Sequence, residues 1–294
     1  MSNEPDDIID CMARMKGDEQ PFTVATVVHV KGGAAAREGS KAVIRADGSV
    51  IGWIGGGCTL GAVKKSTSRA LVDGRARFIR VRPMNGDTTE VSAENRTEDF
   101  DNHCPTGSTV EIFIEPVLPR PSLIVVGGSL VARALSDLGK RLGFAITVAA
   151  LPDDLALFSN VDHSIEGFDL DQAIRPASSF VVVASQGKRD CDALRFALAT
   201  KSSYVALVAS KKKAGNLCRD LLDTGVDSDH ISRIRSPAGA HIGAVTPEEI
   251  ALSILADIVS QRRLDPTEGE PKLDTHIDTF ETRVSGAPQD KVIG

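Results

Sequence analysis

Three consecutive glycines, Gly55-Gly56-Gly57, precede Cys58 at the point where the apolar run 51–54 gives way to a helical pattern. A turn without side chains lets backbone N–H groups converge on an anion or a cofactor. A cysteine opening the following helix feels the positive end of the helix dipole. That end favours thiolate over thiol, which lowers the thiol pKa and raises the reactive share at neutral pH. Cys58 is therefore the candidate reactive thiol, as sulfur carrier or soft ligand; a tight turn with a buried, inert cysteine is the competing reading. A second glycine turn, Gly127-Gly128-Ser129, follows the apolar run 123–126 and opens a helix with the stripe Val131, Leu135, Leu138 and Leu142. That is the opening of a dinucleotide-type βαβ unit. Its fingerprint is altered, because Ser129 stands where a glycine lets the backbone approach a pyrophosphate. The next strand also ends Ala149-Ala150-Leu151-Pro152 without the acid that holds a ribose 2′-OH. NAD is accordingly not expected, although the helix start still suits some phosphate. His103, Cys104 and His241 join Cys58 as weak metal-ligand candidates, suited in kind to Cu(I) or Zn but without the spacing of a metal site.

The elements that must position these groups follow from periodicity. Ile8, Ile9, Met12 and Met15 form a helical stripe behind the capping acids Asp6 and Asp7. Residues 22–30 alternate as a strand. Asp47-Gly48, between strands 39–46 and 49–54, predicts a type I′ hairpin that delivers the chain to the glycine turn. A helix over 59–71 ends at Gly74, and a strand covers 75–81. Residues 83–102, polar and without period, read as a surface loop leading to His103-Cys104, and 109–115 as a strand. The proline-rich 116–121 reads as a linker unable to continue that strand. Beyond it, strands at 144–150, 180–184 and 204–209 alternate with helices at 190–199 and 211–223, which predicts a doubly wound parallel sheet. Thr246, Pro247 and Glu249 form a capping box for a last helix, 247–263. The expected fold class is α/β: an N-terminal α+β domain carrying the hairpin and the Gly-Gly-Gly-Cys turn over 1–118, a Rossmann-like domain over 119–265, and a flexible tail over 266–294.

Composition narrows the class of partner. With 34 Lys+Arg against 40 Asp+Glu the net charge is −6, which disfavours nucleic acid and anionic membranes. No apolar run approaches membrane-spanning length. The acidic start, lacking basic and apolar segments, leads us to expect a cytoplasmic protein. Five widely spaced cysteines without a Cys-x-x-Cys pair fit reduced thiols.

In several motifs, in order over residues ~10 to ~263, the chain resembles the XdhC/CoxI family. They are Ile54-Gly55-Gly56-Gly57-Cys58 after the hairpin, Glu115-Pro116, the second glycine turn, Pro237-Ala238-Gly239, and Thr246-Pro247-Glu248-Glu249. Ala184-Ser185-Gln186-Gly187 resembles the branch serving CO dehydrogenase-like enzymes. The resemblance implies an accessory chaperone, not an enzyme, that binds the molybdenum cofactor (molybdopterin or its cytosine dinucleotide form). It would assist sulfuration or metal-site completion and hand the cofactor to a molybdenum hydroxylase apo-enzyme of xanthine dehydrogenase or CO dehydrogenase type. A homodimer and a cysteine desulfurase partner are implied as well. By resemblance Arg37, Gly55, Gly56 and Gly57 hold the cofactor with Cys58 as the reactive group, and Gly127, Gly128 and Ser129 take a nucleotide if one is present. The chain departs from the family pattern at Leu60, at Ala34 to Ala36 and at His241. A nicotinamide-dependent oxidoreductase and a copper or other metal delivery factor remain the alternatives.

Overall fold

In the computed structural model the described residues are 7–83, 97–102, 108–172, 179–200 and 202–263. The chain forms two compact units, one running to Ser122 and including Leu142–Ala145, the other comprising Leu123–Arg141 and the chain from Ile146.

The first unit contains Ile8–Gly17 (α1), Phe22–Lys31 (β1), Lys41–Arg45 (β2), Val50–Gly52 (β3), Gly57–Asp73 (α2), Arg77–Pro83 (β4), Thr97–Asn102 (β5) and Thr109–Val117 (β6). The strands form one sheet in the order β3-β2-β1-β6-β4-β5. Period-2 alternation sorts its side chains onto two faces. Ala25, Ala42, Ile44, Ile79, Ile112 and Ile114 pack with Ala62 and Val63 of α2. Phe22, Val24 and Val43 pack on the other face with Cys11 and Met15 of α1. Asp7 caps α1 by accepting from the Ile9 N–H at 3.1 Å. Gly74, left-handed at φ 69°, closes α2 by donating to the Ala70 carbonyl.

Three expectations are corrected here. The hairpin is not type I′: Gly48 has φ 79°, Asp47 is not on the positive side, and the Gly48 N–H donates to the Arg45 carbonyl. Arg45 and Ser49 then pair across a three-residue loop, a type I turn closed by a left-handed glycine. Residues 97–102, read as loop, form β5 parallel to β4. The strand is polar because cross-strand charge replaces apolar alternation: Arg77 meets Glu98 at 3.2 Å, Arg80 meets Asp99 at 3.8 Å and Arg82 meets Asp101 at 3.4 Å. Pro116 does continue its strand, opposite Thr23. β4 pairs with β6 only over Val110 to Ile114, so among the described residues Pro116 has β1 alone as a neighbour, and its missing N–H interrupts no second ladder.

Apart from the first residues of β7 and β8, which fall in the first unit, the second unit comprises Ser122–Val126 (β7), Leu130–Arg141 (α3), Ala145–Ala150 (β8), Pro152–Leu155 (α4), His163–Glu166 (β9), Ser179–Val183 (β10), Asp190–Ala199 (α5), Tyr204–Leu207 (β11), Lys211–Asp223 (α6), Ser228–Ser232 (α7), Ile234–Arg235 (β12) and Pro247–Arg263 (α8). Strand order is β12-β11-β10-β7-β8-β9, with the β8/β9, β10/β11 and β11/β12 pairings parallel. The chain thus starts in the middle, builds outward through β8 and β9, and returns beside β7 to build the other half. This is the Rossmann order, with its topological switch point between β7 and β10. Every residue of β7 and β10 is buried, as central strands covered on both faces require. Leu194 and Phe196 of α5 and Leu217 and Leu221 of α6 pack with Ile124, Val126 and Val181. Gly139 lets α3 approach Leu123 and Ile146, where an added Cβ would stand 2.8 Å from Leu123 Cδ2. The capping box of α8 forms as expected: Glu249 Oε2 accepts from Thr246 N at 3.0 Å and Thr246 Oγ1 accepts from Glu249 N at 3.3 Å. Among the described residues no helix is long and apolar enough to cross a membrane.

Candidate functional site

In the first unit the glycine turn is held from both sides. Trp53 donates its N–H to the Lys41 carbonyl at 3.1 Å, and Ile54 is buried in the core. Gly55 has φ 124°, a conformation that side chains rarely adopt, and an added Cβ would lie 3.3 Å from Thr59 Oγ1 and 3.5 Å from Ala36 Cβ. Gly56 and Gly57 differ: both are exposed and added Cβ atoms would meet nothing within 4 Å. Gly56 is the N-cap of α2, at φ −76°, and offers its first turn no side-chain hydrogen bond; that turn has no acidic residue either. The helix start is therefore an open set of N–H donors with the positive end of the dipole uncompensated. Cys58 is its second residue.

The loop carrying Arg37 is brought beside this turn. Ala36 is buried against Gly55, and Gly39 donates its N–H to Val27. Glu38 accepts from the Val30 N–H at 3.1 Å and pairs with His29 Nδ1 at 2.9 Å. These two contacts, the backbone one first, hold the Glu38 carboxyl below its usual range. Arg37, the residue after Ala36, is exposed. Trp53, the only tryptophan, is 59 % exposed two residues before Gly55. Sequence reasoning passed over it, although a large apolar side chain flanking a glycine turn was signal enough.

In the second unit Gly127, Gly128 and Ser129 leave β7 at the switch point. Gly127, at φ 114°, lies so close to the start of the loop leaving β10 that an added Cβ would be 2.5 Å from Ser185 Cα. Ser129 Oγ accepts from the Ala132 N–H at 3.1 Å, so the serine that breaks the glycine fingerprint serves as the cap of α3. The N–H groups of Gly127 and Ser129 donate to Ala149 and Ala184 carbonyls within the sheet end. A carboxylate missed by the reading of the strand end is present: Asp154 of α4 is buried against Gly128, where an added Cβ would be 2.3 Å from Asp154 Cβ. It is held by Lys188 Nζ at 2.8 Å. The loop leaving β10 is locked by Asp190, which accepts from Ser185 Oγ, from Gly187 N at 2.9 Å and from Lys213 Nζ at 2.6 Å. Burial pushes the Asp190 carboxyl up, but the bonds from Lys213, Ser185 and Gly187 outweigh it and leave it below the usual range. Gln186 and Arg189, neither of them glycine, both have φ 53°, strain of a kind concentrated at functional loops. A cavity of about 230 Å³ opens at the switch point between Ser129, Leu130, Val131, Ala184, Gln186, Val208 and Pro247.

Of the metal-ligand candidates, His241 is exposed in the loop before α8, while His103 and Cys104 lie outside the described residues. Among the described residues no group of three or more His, Cys, Asp or Glu is arranged to hold a metal ion. Burial pushes the Cys191 and Cys218 thiols up, so these two pack as apolar side chains.

A model described as the XdhC and CoxI family matches residues 16–82, and one described as the XdhC Rossmann domain matches 123–258. The first span contains Arg37 and the Gly55-to-Cys58 turn, the second Gly127 to Ser129 and the Asp190 network. Among curated proteins, the chain is 30 % identical over 266 residues to the uncharacterized protein YqeB of Escherichia coli (strain K12), covering 86 % of this chain and 46 % of that one. It is 28 % identical over 162 residues to a probable xanthine dehydrogenase subunit of Bacillus subtilis (strain 168), covering 53 % and 47 %. It is 24 % identical over 278 residues to the molybdenum cofactor insertion chaperone PaoD of Escherichia coli (strain K12), covering 81 % and 83 %. The chain thus spans about half the length of the first two relatives and most of the third.

Proposed function

The chain belongs to the XdhC and CoxI family, and from that membership we propose that it is an accessory chaperone of a molybdenum hydroxylase, binding the molybdenum cofactor and assisting its insertion into the apo-enzyme. The observation that carries this reading is the match to PaoD across 81 % of the chain and 83 % of that chaperone. The geometry supports a place for the ligand. The uncapped start of α2, open at Gly56 and Gly57, suits a pterin phosphate, and Arg37 supplies a cation beside it. The cofactor supplies metal chemistry in the client enzyme; the residues of this chain bind, orient and release it.

The finer assignments belong to the same proposal. Cys58 acts as sulfur relay or soft ligand during sulfuration or metal-site completion, with a cysteine desulfurase as sulfur source. Gly127, Gly128 and Ser129 take the nucleotide of a cytosine dinucleotide form. The working form is a cytoplasmic homodimer, and the client is of xanthine dehydrogenase or CO dehydrogenase type. The test is anaerobic purification followed by fluorescence of the oxidised pterin, together with co-expression of a client hydroxylase. Pterin enrichment over a control protein is expected. Cys58→Ser should leave the yield and melting of this protein unchanged while client protein accumulates with reduced specific activity. Pterin at the control level would refute the binding; fully active, fully sulfurated client with Cys58→Ser would confine the function to the glycine turn.

A further inference from the structure

We infer that the outer face of α8 is a docking surface for a second copy of this chain, the two helices packing antiparallel about a two-fold axis that passes between Leu255 and Ala256. α8 buries Ala251, Ile254, Leu255 and Ile258 within its own unit, Leu255 lying near Gly139 of α3. Beside that buried face, steps of four, four, three and four residues bring Glu248, Leu252, Ala256, Val259 and Arg263 onto one stripe. Val259 is half-buried and the other four are exposed, Leu252 by 54 %. A helix that already has its core face needs no second apolar stripe for its own packing.

Isolated exposed apolar side chains are ordinary; the order along this stripe is what selects the occupant. From either end it runs charge, apolar, small, apolar, charge of the opposite sign. The same two-fold point relates Leu252 to Val259 and Glu248 to Arg263. In the antiparallel pair Leu252 meets the partner's Val259, and Ala256 lets the helix axes approach at the centre. Glu248 meets the partner's Arg263 at both ends of the contact. An isologous interface demands such self-complementarity, whereas a partner of unrelated sequence does not. The end charges are available for it. Glu249 is occupied by the N–H groups of Val245 and Thr246, and Asp257 accepts from Tyr204 and pairs with Arg235 at 4.0 Å. Glu248 and Arg263 form no ion pair among the described residues. The helix dipole favours an acid at the start and a base at the end of any helix, so it accounts for those two residues but not for the apolar ones between them.

The inference rests on the reading above only in taking a second copy as the partner, and it needs neither pterin nor client. The full-length protein is followed by sedimentation velocity over about 1–100 μM, because one helix pair about 25 Å long is a small interface and should dissociate in the micromolar range. Leu252→Asp should leave monomer throughout. Glu248→Arg and Arg263→Glu should each weaken the dimer at least about fivefold, since symmetry places two like-charge contacts in it. Both substitutions in one chain should restore the parent affinity to within about twofold. An equimolar mixture of the two single variants, which sets Arg against Glu at both ends, should associate at least about fivefold more tightly than either variant alone. That recovery is a result that loss of fold cannot produce, so the mixture decides the matter if Leu252→Asp melts early. A dimer indifferent to Leu252→Asp and to both charge reversals would overturn the inference and leave the proposed homodimer standing. Charge reversals that weaken the dimer without recovery in the double variant or the mixture would overturn it as well. Monomer at every concentration would overturn it together with the homodimer, while cofactor binding would still be judged by the pterin assay.

Discussion

Gly127→Ala is the sharpest perturbation that the two glycine turns allow. At φ 114° the residue occupies backbone space that costs an L-amino acid about 1–3 kcal/mol. The added methyl would also stand 2.5 Å from Ser185 Cα and 2.7 Å from Ala184 C and O, all backbone just past the end of a central strand. Relieving that overlap means displacing β10 or β7, which adds about 1–3 kcal/mol. The expected loss is about 4 kcal/mol, or a fall of about 2 M in the urea midpoint for a slope of about 2 kcal/mol per M. Gly56→Ala, at φ −76° and with nothing within 4 Å, should stay within about 0.5 kcal/mol of the parent. Gly57→Ala, at the first helical position, should stabilise by up to about 0.5 kcal/mol. The chain carries its own reporters, since the single Trp53 lies in the first unit and the single Tyr204 in the second. Urea unfolding is followed by tryptophan fluorescence, tyrosine difference absorbance and far-ultraviolet circular dichroism. A change below about 1 kcal/mol for Gly127→Ala in the tyrosine-reported transition would refute the argument that this turn is fixed by packing. A loss above about 2 kcal/mol for Gly56→Ala would show that the first turn is structural as well.

Tyr204 donates to Asp257 Oδ2 at 2.7 Å, and burial, followed by that bond, pushes its phenol up. A raised folded-state pKa stabilises below the unfolded value and is lost as pH rises, so stability should fall above about pH 10 and Tyr204→Phe should flatten that slope in alkaline melts. The Asp190 carboxyl is held below its usual range, so its contribution is present above about pH 4 and lost as pH falls further. Asp190→Asn should cost about 1–3 kcal/mol at pH 7 by urea titration and progressively less below pH 4. Glu98 accepts from Ser66 Oγ at 2.8 Å and pairs with Arg77 at 3.2 Å. Glu98→Gln should cost about 1 kcal/mol in thermal melts at low salt, with the difference shrinking as salt screens the pair.

Much of the architecture was legible because it rests on local rules. Alternation marked β1 and β6, the apolar runs marked β7, β8 and β10, and Thr246, Pro247 and Glu249 marked the start of α8 through hydrogen bonds within one turn. β5 was not legible, because Thr97 to Asn102 has no apolar period and becomes a strand only when Arg77, Arg80 and Arg82 arrive beside it. The hairpin turn was misassigned for a related reason: Asp47-Gly48 permits two loop lengths, and pairing of Arg45 with Ser49 selects the longer one.

For the candidate sites, sequence by itself determined that Gly55, Gly56 and Gly57 precede a cysteine at a helix start and that Gly127 and Gly128 follow a buried strand, since both are statements about neighbours along the chain. Only the tertiary structure separated the glycines by role. Gly55 and Gly127 are required by backbone angle and by packing against Thr59, Ala36 and the loop leaving β10, whereas Gly56 and Gly57 face open space. It also set Asp154 on Gly128 and against Lys188, thirty-four residues away, and Lys213 on Asp190. Charge pairs of that separation leave no period in a sequence, because their partners are chosen by which strand ends the sheet order brings side by side.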